Sequence, residues 1–299
     1  MLMRLIVVSM SILMPLCTHA AVKVFACEPE WAALAIEIGR DRVTVTSATT
    51  AQQDPHSIQA RPSLIAGLRK ADLLICTGAG LEAGWLPLLQ RRANNPAVLS
   101  GKPGYIEAAS VVQMLDRPAS LDRAHGDVHA QGNPHIQTDP RNFIPVARLL
   151  SERLQAIDPD NAAAYRDNHA VFAERWRTAI AGWQQRATSL VDMPVVVQHR
   201  NWVYLIHWLR LKRVATLEQK PGVPPSSADL AKLLAQLEQQ PASAILRAAY
   251  QSERAASWLS ERSGIPILEL PYTVGGNAAA TDLFTLFDDT LDRLLEIMQ

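Results

Sequence analysis

The chain has 299 residues, with 29 basic and 29 acidic side chains and a formal net charge of zero. A balanced charge gives no electrostatic reason to expect nucleic acid as a partner, so nucleic-acid-binding classes are disfavoured. The length is sufficient to bury a large core, in two domains or in one large one.

The N-terminus has the layout of a secretory signal peptide. A single charge at Arg4 precedes an apolar run of 12 residues from Leu5 to Leu16, and Thr18-His19-Ala20 then resembles a cleavage site. The run is shorter than the roughly 20 residues that a membrane-spanning helix needs. We therefore expect residues 1–20 to be removed after Ala20 and the mature protein to be exported in soluble form.

Strands and helices alternate in the first part of the mature chain, residues 21–160. The hydrophobic pattern and the helix stop signals predict the following elements: strands at Val22–Cys27, Val43–Thr46 and Asp72–Cys76, and helices at Trp31–Ile38 and Pro62–Lys70. Alternation at this spacing indicates a parallel sheet that helices cover on both faces.

Two cysteines, Cys27 and Cys76, remain after removal of the signal peptide, and each ends a predicted strand. An exported protein meets an oxidising compartment, so a disulfide between them is permitted. Free cysteine is also a common core residue, so two buried thiols are an equally acceptable interpretation. The sequence leaves both open.

A regular apolar stripe fills residues 161–190. The positions that recur at spacings of mostly three and four are Tyr165, His169, Phe172, Trp176, Ala179, Trp183, Ala187 and Leu190. The pattern predicts one helix of roughly 45 Å, at 1.5 Å per residue. Such a helix crosses most of a molecule of this size, and we expect its stripe, including His169, to pack against the regions on either side.

The alternation of strands and helices resumes in residues 191–299. The predicted elements are strands at Val195–Gln198, Arg213–Leu217, Ser243–Leu246 and Pro266–Leu270, and helices at Tyr204–Leu209, Ser227–Gln239 and Gln251–Ser263. The sequence thus predicts an α/β protein with two lobes of related topology, 21–160 and 191–299, joined by the helix of residues 161–190.

Three histidines lie on loops next to predicted strands or helices. His56 lies just beyond a strand, His135 lies before a predicted helix, and His199 follows a strand directly. Ligands of open α/β sheets bind at the carboxyl edge, where these loops meet. Neutral imidazole suits Zn²⁺, and three imidazoles leave one position for a carboxylate or water. Their wide separation matches no local zinc motif, so spacing alone does not identify a metal site.

His125 and His129 form a second, looser group in a segment that lacks hydrophobic periodicity. Two histidines and one aspartate within five residues could bind a metal weakly and pass it to His135. A solvated polar loop explains the same residues, and the sequence does not decide between the two.

Several short motifs occur in one order along the whole mature chain. They are Asp54-Pro-His-Ser57, Pro62-Ser63, Lys70-Ala-Asp72, Gly78, Gly80-Leu-Glu82, Gly132-Asn-Pro-His-Ile136, Asp139-Pro140, the long helix, and His199 with Tyr204. In this order the sequence resembles the metal-specific substrate-binding proteins of ABC transporters, the zinc and manganese group called cluster A-I. The resemblance implies two Rossmann-like βα lobes with parallel sheets, bridged by one long rigid helix.

The resemblance also implies a function. It places the metal between the lobes, with His56, His135 and His199 as ligands, and histidine at the third position accompanies zinc preference in the family. The expected protein is therefore not an enzyme but a monomeric periplasmic receptor that carries Zn²⁺ to the membrane permease of an ABC importer. A manganese or iron receptor of the same kind is an alternative.

The fourth ligand is a departure from the family, which commonly has an aspartate after the last strand. Tyr272 occupies that place, and a neutral phenol with a pKa of about 10 is a poor zinc ligand. Water, Asp54 or Asp282 could take the position instead, although Asp282 is better suited to the first turn of the last helix.

Two functions of other classes remain. Three histidines with a water are also the ligand set of a zinc hydrolase or hydratase, but no HExxH or comparable motif places a catalytic base. The second alternative is an adhesion or structural protein that kept the fold and lost transport, and no residue excludes it.

Overall fold

A computed structural model describes residues 20–118, 129–220 and 222–298. The first lobe contains β1 (Val22–Ala26), α1 (Pro29–Gly39), β2 (Val43–Ser47), α2 (Pro62–Arg69), β3 (Leu73–Cys76), α3 (Leu86–Ala93), β4 (Tyr105–Glu107) and α4 (Phe143–Ile157). The residues expected to form a signal peptide, apart from Ala20, lie outside the described ranges. In these ranges, no helix combines the length and the apolar character needed to cross a membrane.

The long helix α5 (Ala162–Arg186) follows, flanked by short 3-10 turns at Pro159–Asn161 and Ala187–Leu190. The second lobe then contains β5 (Pro194–Val197), α6 (Val203–Leu209), β6 (Lys212–Thr216), α7 (Ser227–Gln239), β7 (Ala244–Ala248), α8 (Arg254–Ser263), β8 (Ile267–Leu270) and α9 (Leu283–Glu296).

Each lobe has one four-stranded parallel sheet, and the two sheets have matching topology. The strand orders are β2-β1-β3-β4 and β6-β5-β7-β8. In the first sheet Val24 is paired with Val45 on one side and Leu73 on the other, and in the second Val196 is paired with Ala215 and Ile245. The predicted fold class, two α/β lobes with parallel sheets joined by a long helix, is confirmed.

Both faces of the first sheet are buried, as its nearly continuous apolar strands predict. Val24 and Ile75 belong to the core that includes α1 and α5, while Phe25 and Leu74 belong to a separate core that includes α2 and α3. Cys27 and Cys76 lie on this second side, fully buried, and form a disulfide. The pairing resolves the choice that the sequence left open.

The helix α5 joins the lobes by packing against both. It contacts α1 and α4 of the first lobe and α9, the last helix of the second. Trp176 lies at the centre of an aromatic cluster, with ring centroids 5.4 Å from Phe143 and 5.7 Å from Phe287. Most of the predicted stripe is buried here, but His169 is only half-buried.

Candidate metal centre

The three predicted histidines lie on three separate loops that meet between the lobes. His56 lies in the loop after β2, His135 lies between β4 and α4, and His199 follows β5. The ring centroids of His56 and His135 are 5.1 Å apart, those of His135 and His199 are 5.7 Å apart, and those of His56 and His199 are 6.2 Å apart. The fold thus brings together side chains that are far apart in sequence.

Asp54 orients the His56 ring. Its Oδ1 atom accepts a hydrogen bond from the backbone N–H of His56 at 3.0 Å and lies 2.8 Å from Nδ1 of the ring. Burial raises the pKa of the Asp54 carboxyl, but the hydrogen bonds and charge of His56 outweigh burial, and the pKa is lowered overall. An ionised Asp54 accepts from Nδ1–H, so a metal would bind to His56 through Nε2.

His135 is the most buried of the three, with 1% of its surface exposed. Its backbone N–H donates to Asn133 Oδ1 at 3.0 Å, and its Nδ1 lies 2.5 Å from the hydroxyl oxygen of Tyr272 in the second lobe. Burial, reinforced by the neighbouring imidazoles, holds the pKa of His135 well below its usual value. The ring is therefore neutral, which is the form that binds a metal.

His199 is oriented by a residue that the sequence analysis did not identify. Its Nδ1 lies 2.7 Å from Oε2 of Glu218, which also accepts a hydrogen bond from the backbone N–H of Gly222 at 2.9 Å. Glu218 follows β6, the strand beside β5 in the sheet. Its position just past a predicted strand was the signal that could have identified it, because the carboxyl ends of parallel strands lie at one edge.

All three rings share one arrangement: Nδ1 contacts an oxygen of Asp54, Tyr272 or Glu218, so a metal would bind through Nε2. Zinc–nitrogen bonds of about 2.0–2.1 Å in a tetrahedral site place imidazole centroids about 5 Å apart. The spacing of His56 and His135 already fits this geometry. His199 lies farther from both, so an inward shift of about 1 Å would complete a tetrahedral site.

The structure gives each of the candidate fourth ligands a different role. Asp282 precedes α9 and caps it, since its Oδ1 accepts from the backbone N–H of Thr285 at 2.8 Å. Burial raises the pKa of Tyr272 well above its usual value, so its neutral hydroxyl serves as the partner of His135. Asp54 is the corresponding partner of His56.

His129 joins the cluster from the edge of the loop 129–134. Its ring centroid is 5.5 Å from that of His56. A Cβ at Gly80, which has a φ of +88°, would lie 3.1 Å from His129 Nδ1, so glycine permits this close approach. His125, the other histidine of the predicted pair, lies outside the described residues.

Three buried carboxyl groups to which the sequence analysis assigned no role lie in the first lobe, at the start of α1 and in the loop after β3. Glu28, Glu30 and Glu82 are each at most 3% exposed. Burial raises the pKa of Glu28 well above its usual value and raises the pKa of Glu30 and of Glu82 to about 7. The backbone N–H of Thr77 donates to Glu82 Oε1 at 2.8 Å, so Glu82 braces the loop after β3.

Within the described residues, one group of ligand atoms lies close enough to hold a metal as it stands: Cys27, Cys76 and Glu82, whose atoms are within 4.8 Å of one another. The metal-binding form of cysteine is the thiolate, and both sulfurs are here in the disulfide. This group is therefore not a metal centre in the oxidised protein.

Comparison with known proteins gives one family over nearly the whole chain. The family described as "Zinc-uptake complex component A periplasmic" matches residues 24–297. The "High-affinity zinc uptake system protein ZnuA" of Bacillus subtilis is 22% identical over 66% of this chain and 61% of its own length. The "Metal ABC transporter substrate-binding lipoprotein SsaB" of Streptococcus sanguinis is 26% identical over 51% of this chain and 47% of its own length. The chain thus spans less than two thirds of these relatives.

Solved structures match the fold along the chain. The structure described as "Crystal structure of ZnuA" has a TM-score of 0.76 and 21% identity, and the match covers 92% of this chain and 98% of that one. The Mn-bound periplasmic metal binding protein from Candidatus Liberibacter asiaticus has a TM-score of 0.75 and 19% identity, with 93% and 100% covered. At these identities the likeness shows the two-lobed fold.

Proposed function

Because this chain belongs to the family of periplasmic zinc-uptake component A proteins, we propose that it captures a transition metal between its lobes and delivers it to the membrane permease of an ABC importer. The observation that carries the proposal is the convergence of His56, His135 and His199 from both lobes, each with its Nδ1 held by an oxygen. Outer partners of this kind are typical of histidines that bind metals.

Zinc is the cargo that the donor set favours. Relatives of this chain are named for zinc and for manganese, so similarity by itself leaves the metal open. Three imidazoles suit zinc, whereas manganese prefers oxygen donors, and the carboxylates nearest the cluster are engaged with ring nitrogens. The chain is thus expected to select zinc over manganese.

Metal capture and release would involve a small relative movement of the lobes. His56 and His135 are supplied by the first lobe and are already at the spacing of a tetrahedral site, while His199 lies in the second lobe. Binding draws His199 inward by about 1 Å. Docking on the permease would separate His199 from the other two, which leaves two ligands and lowers the affinity enough for release.

Among the described side chains His129 is the remaining candidate for the fourth position, which otherwise takes a ligand from solution such as water. One variant separates the two. If His129 is a ligand, His129→Ala should weaken zinc binding by about tenfold or more, at least as much as loss of an outer partner. If His129 only passes the ion on, the equilibrium affinity stays unchanged and the rate of zinc uptake falls. Stopped-flow measurement with a fluorescent zinc indicator gives both values.

The decisive test of the proposed function is metal analysis of the purified mature protein, combined with competition titration of zinc against manganese. One zinc ion per chain is expected, with a large preference over manganese. His199→Ala should lose most of the zinc affinity, while His169→Ala, the same change on the half-buried face of α5, should retain it. Equal affinities of the wild type and His199→Ala would contradict the site.

Export to the periplasm and a non-catalytic role complete the proposal. The signal-peptide layout of residues 1–20 agrees with the periplasmic family. A zinc hydrolase would need a base within hydrogen-bond reach of a metal-bound water. Turnover assays for esterase and hydratase activity on the zinc-loaded protein should therefore give only the background rate.

A further inference from the structure

A cavity extends from the histidine cluster into the second lobe. It has a volume of about 720 Å³, and its lining includes His56, His199 and Glu218. Cavities of about 300–1,000 Å³ are the size that binds small organic molecules. A metal ion held by three imidazoles needs none of this space beyond its own coordination sphere.

The wall of the cavity also includes an arginine at the N-terminus of a helix. Arg254 and Ala255, in the first turn of the ten-residue helix α8, line it. The N-cap residue Glu253 makes no side-chain capping hydrogen bond, and the backbone N–H of Arg254 has only a long one, 3.5 Å, to Ser252 Oγ. Within the described ranges the guanidinium of Arg254 forms no ion pair. A helix N-terminus next to an arginine is suited to bind a carboxylate.

A buried polar atom at the same wall lacks a partner. Gln198 lines the cavity and is 5% exposed. Its Nε2 donates to the carbonyl of Ser252 at 2.7 Å, but its Oε1 is buried and accepts no hydrogen bond from the described residues. A buried acceptor without a donor destabilises the folded protein. A ligand with an N–H or O–H group would satisfy it.

Apolar surface completes the lining. Trp258, Leu230 and Tyr250 contribute to the wall beside these polar groups. An amphipathic cavity with a few convergent polar groups is typical of a site for a small organic ligand. One end is suited to bind a metal and another part is suited to bind an anion.

Resting on the proposed function, we propose that the cargo enters as a metal complex, and that this cavity holds the organic part. The ligand is a small carboxylate-bearing chelator, such as a free amino acid or a hydroxy acid. Its nitrogen or oxygen donor fills the coordination position that the three histidines leave open. Its carboxylate binds Arg254 and the first turn of α8, and an N–H or O–H group reaches Gln198.

The experiment is equilibrium dialysis of the mature protein, metal-free and zinc-loaded, against radiolabelled L-histidine and, separately, citrate. Imidazole, which has the donor but lacks the carboxylate, is the third probe. We expect one equivalent of L-histidine or citrate to bind the zinc-loaded protein. Imidazole should bind at least about tenfold more weakly. The two labelled probes show which kind of chelator the cavity takes.

Matched variants assign the carboxylate to its site. Arg254→Gln should weaken binding of the carboxylate probe by about tenfold or more, as expected for loss of a charge-assisted hydrogen bond. Arg166→Gln, the same change at an exposed position of α5, should have no effect. Zinc content is measured in every sample.

Two results overturn the inference while the proposed function stands. In the first, the protein holds one zinc and neither carboxylate probe binds. In the second, imidazole binds as tightly as L-histidine and Arg254→Gln changes nothing. A protein that holds no zinc overturns the proposed function itself, and the metal analysis shows this without the probes.

Discussion

Each candidate ligand depends on a neighbour that fixes which of its nitrogens faces the metal. The carboxyl group of Glu218 contacts Nδ1 of His199, and that of Asp54 contacts Nδ1 of His56. The neutral hydroxyl of Tyr272 contacts Nδ1 of His135. A carboxylate on Nδ1–H raises the basicity of the ring, and a hydroxyl does so less. The Tyr272 contact also crosses between the lobes, so it links ligand orientation to the position of the second lobe.

Glu218→Ala should therefore weaken zinc binding by about 10–100-fold, the usual effect of losing an outer partner. Glu238→Ala, an exposed position on α7, is the matched control and should bind like the wild type. Competition titration with a zinc chelator measures both. An unchanged affinity for Glu218→Ala would show that the orientation of His199 does not depend on this carboxylate.

The buried carboxyl groups make stability depend on pH. The pKa of Glu30 is raised by burial from 4.5 to about 7, so the folded protein keeps a proton that the unfolded chain releases above pH 4.5. Below pH 4.5 both states are protonated and the effect is absent. Between pH 4.5 and 7 the contribution of Glu30 to the free energy of unfolding should fall by about 1.4 kcal/mol per pH unit.

Urea unfolding of metal-free protein across this range tests the effect. Glu30→Gln cannot titrate and should gain stability relative to the wild type as the pH rises from 4.5 to 7. The pKa of His135 is lowered, so the contribution of His135 to the free energy of unfolding rises with pH. Both proteins contain His135, so this contribution cancels when their free energies of unfolding are compared. A difference that does not change with pH would contradict the raised pKa.

The sequence predicted the three histidines and named Asp54 and Tyr272 near them, but it did not predict the other acidic residues around the site. His56 and His199 were found because they follow strongly predicted strands, and the edge of a parallel sheet is where such loops meet. Glu218, Glu28, Glu30 and Glu82 were missed because an acidic residue in a single sequence usually indicates surface. Only the fold shows that these four are buried or paired.

At the scale of elements, the disulfide fastens β1 to β3 in the middle of the first sheet. Cys27 and Cys76 are 49 residues apart, and a cross-link over that distance stabilises by about 4 kcal/mol through the unfolded state. The double variant Cys27→Ala/Cys76→Ala should lose roughly this amount in guanidinium unfolding. Reductant should lower the free energy of unfolding of the wild type and leave that of the double variant unchanged. If the wild type is insensitive to reductant after full equilibration, the prediction is wrong.

The elements that the sequence predicted best are the apolar strands and the long helix. β3 and β5 are short runs of valine, leucine and isoleucine between turn signals, and α5 has a stripe that persists over many turns. The strand β4, Tyr105–Glu107, was missed because three residues give no periodicity to detect. It forms only because β3 provides a partner at the edge of the sheet, which is a tertiary effect.

At the scale of the molecule, the lobes are held close by polar contacts as well as by α5. Tyr204 in the second lobe donates its hydroxyl to the carbonyl of Asn133 at 2.8 Å and accepts from the backbone N–H of Leu115 at 3.0 Å. Trp183 on α5 donates to Asp288 on α9 at 2.8 Å. These contacts limit how far the lobes can rotate.

Zinc binding should therefore change the shape of the molecule little. Small-angle X-ray scattering of metal-free and zinc-loaded protein should give radii of gyration that agree within about 1 Å, the scale of the shift that His199 needs. Zinc should still raise the melting temperature, since it binds the folded state. A decrease of several ångströms in the radius of gyration would indicate a hinge motion that these contacts do not permit.

The position of α9 has a consequence for biosynthesis. Among the described elements this helix is synthesised after all the others, yet Phe287 packs against Phe143 and Trp176, which belong to α4 and α5. A nascent chain that has not reached residue 283 leaves part of this aromatic cluster exposed, so the core around α4 and α5 stays incomplete until α9 has been made. A chain that completes this core only with α9 stays partly unfolded while its earlier residues emerge, and an unfolded chain is the form that the proposed export through a narrow translocation channel would require.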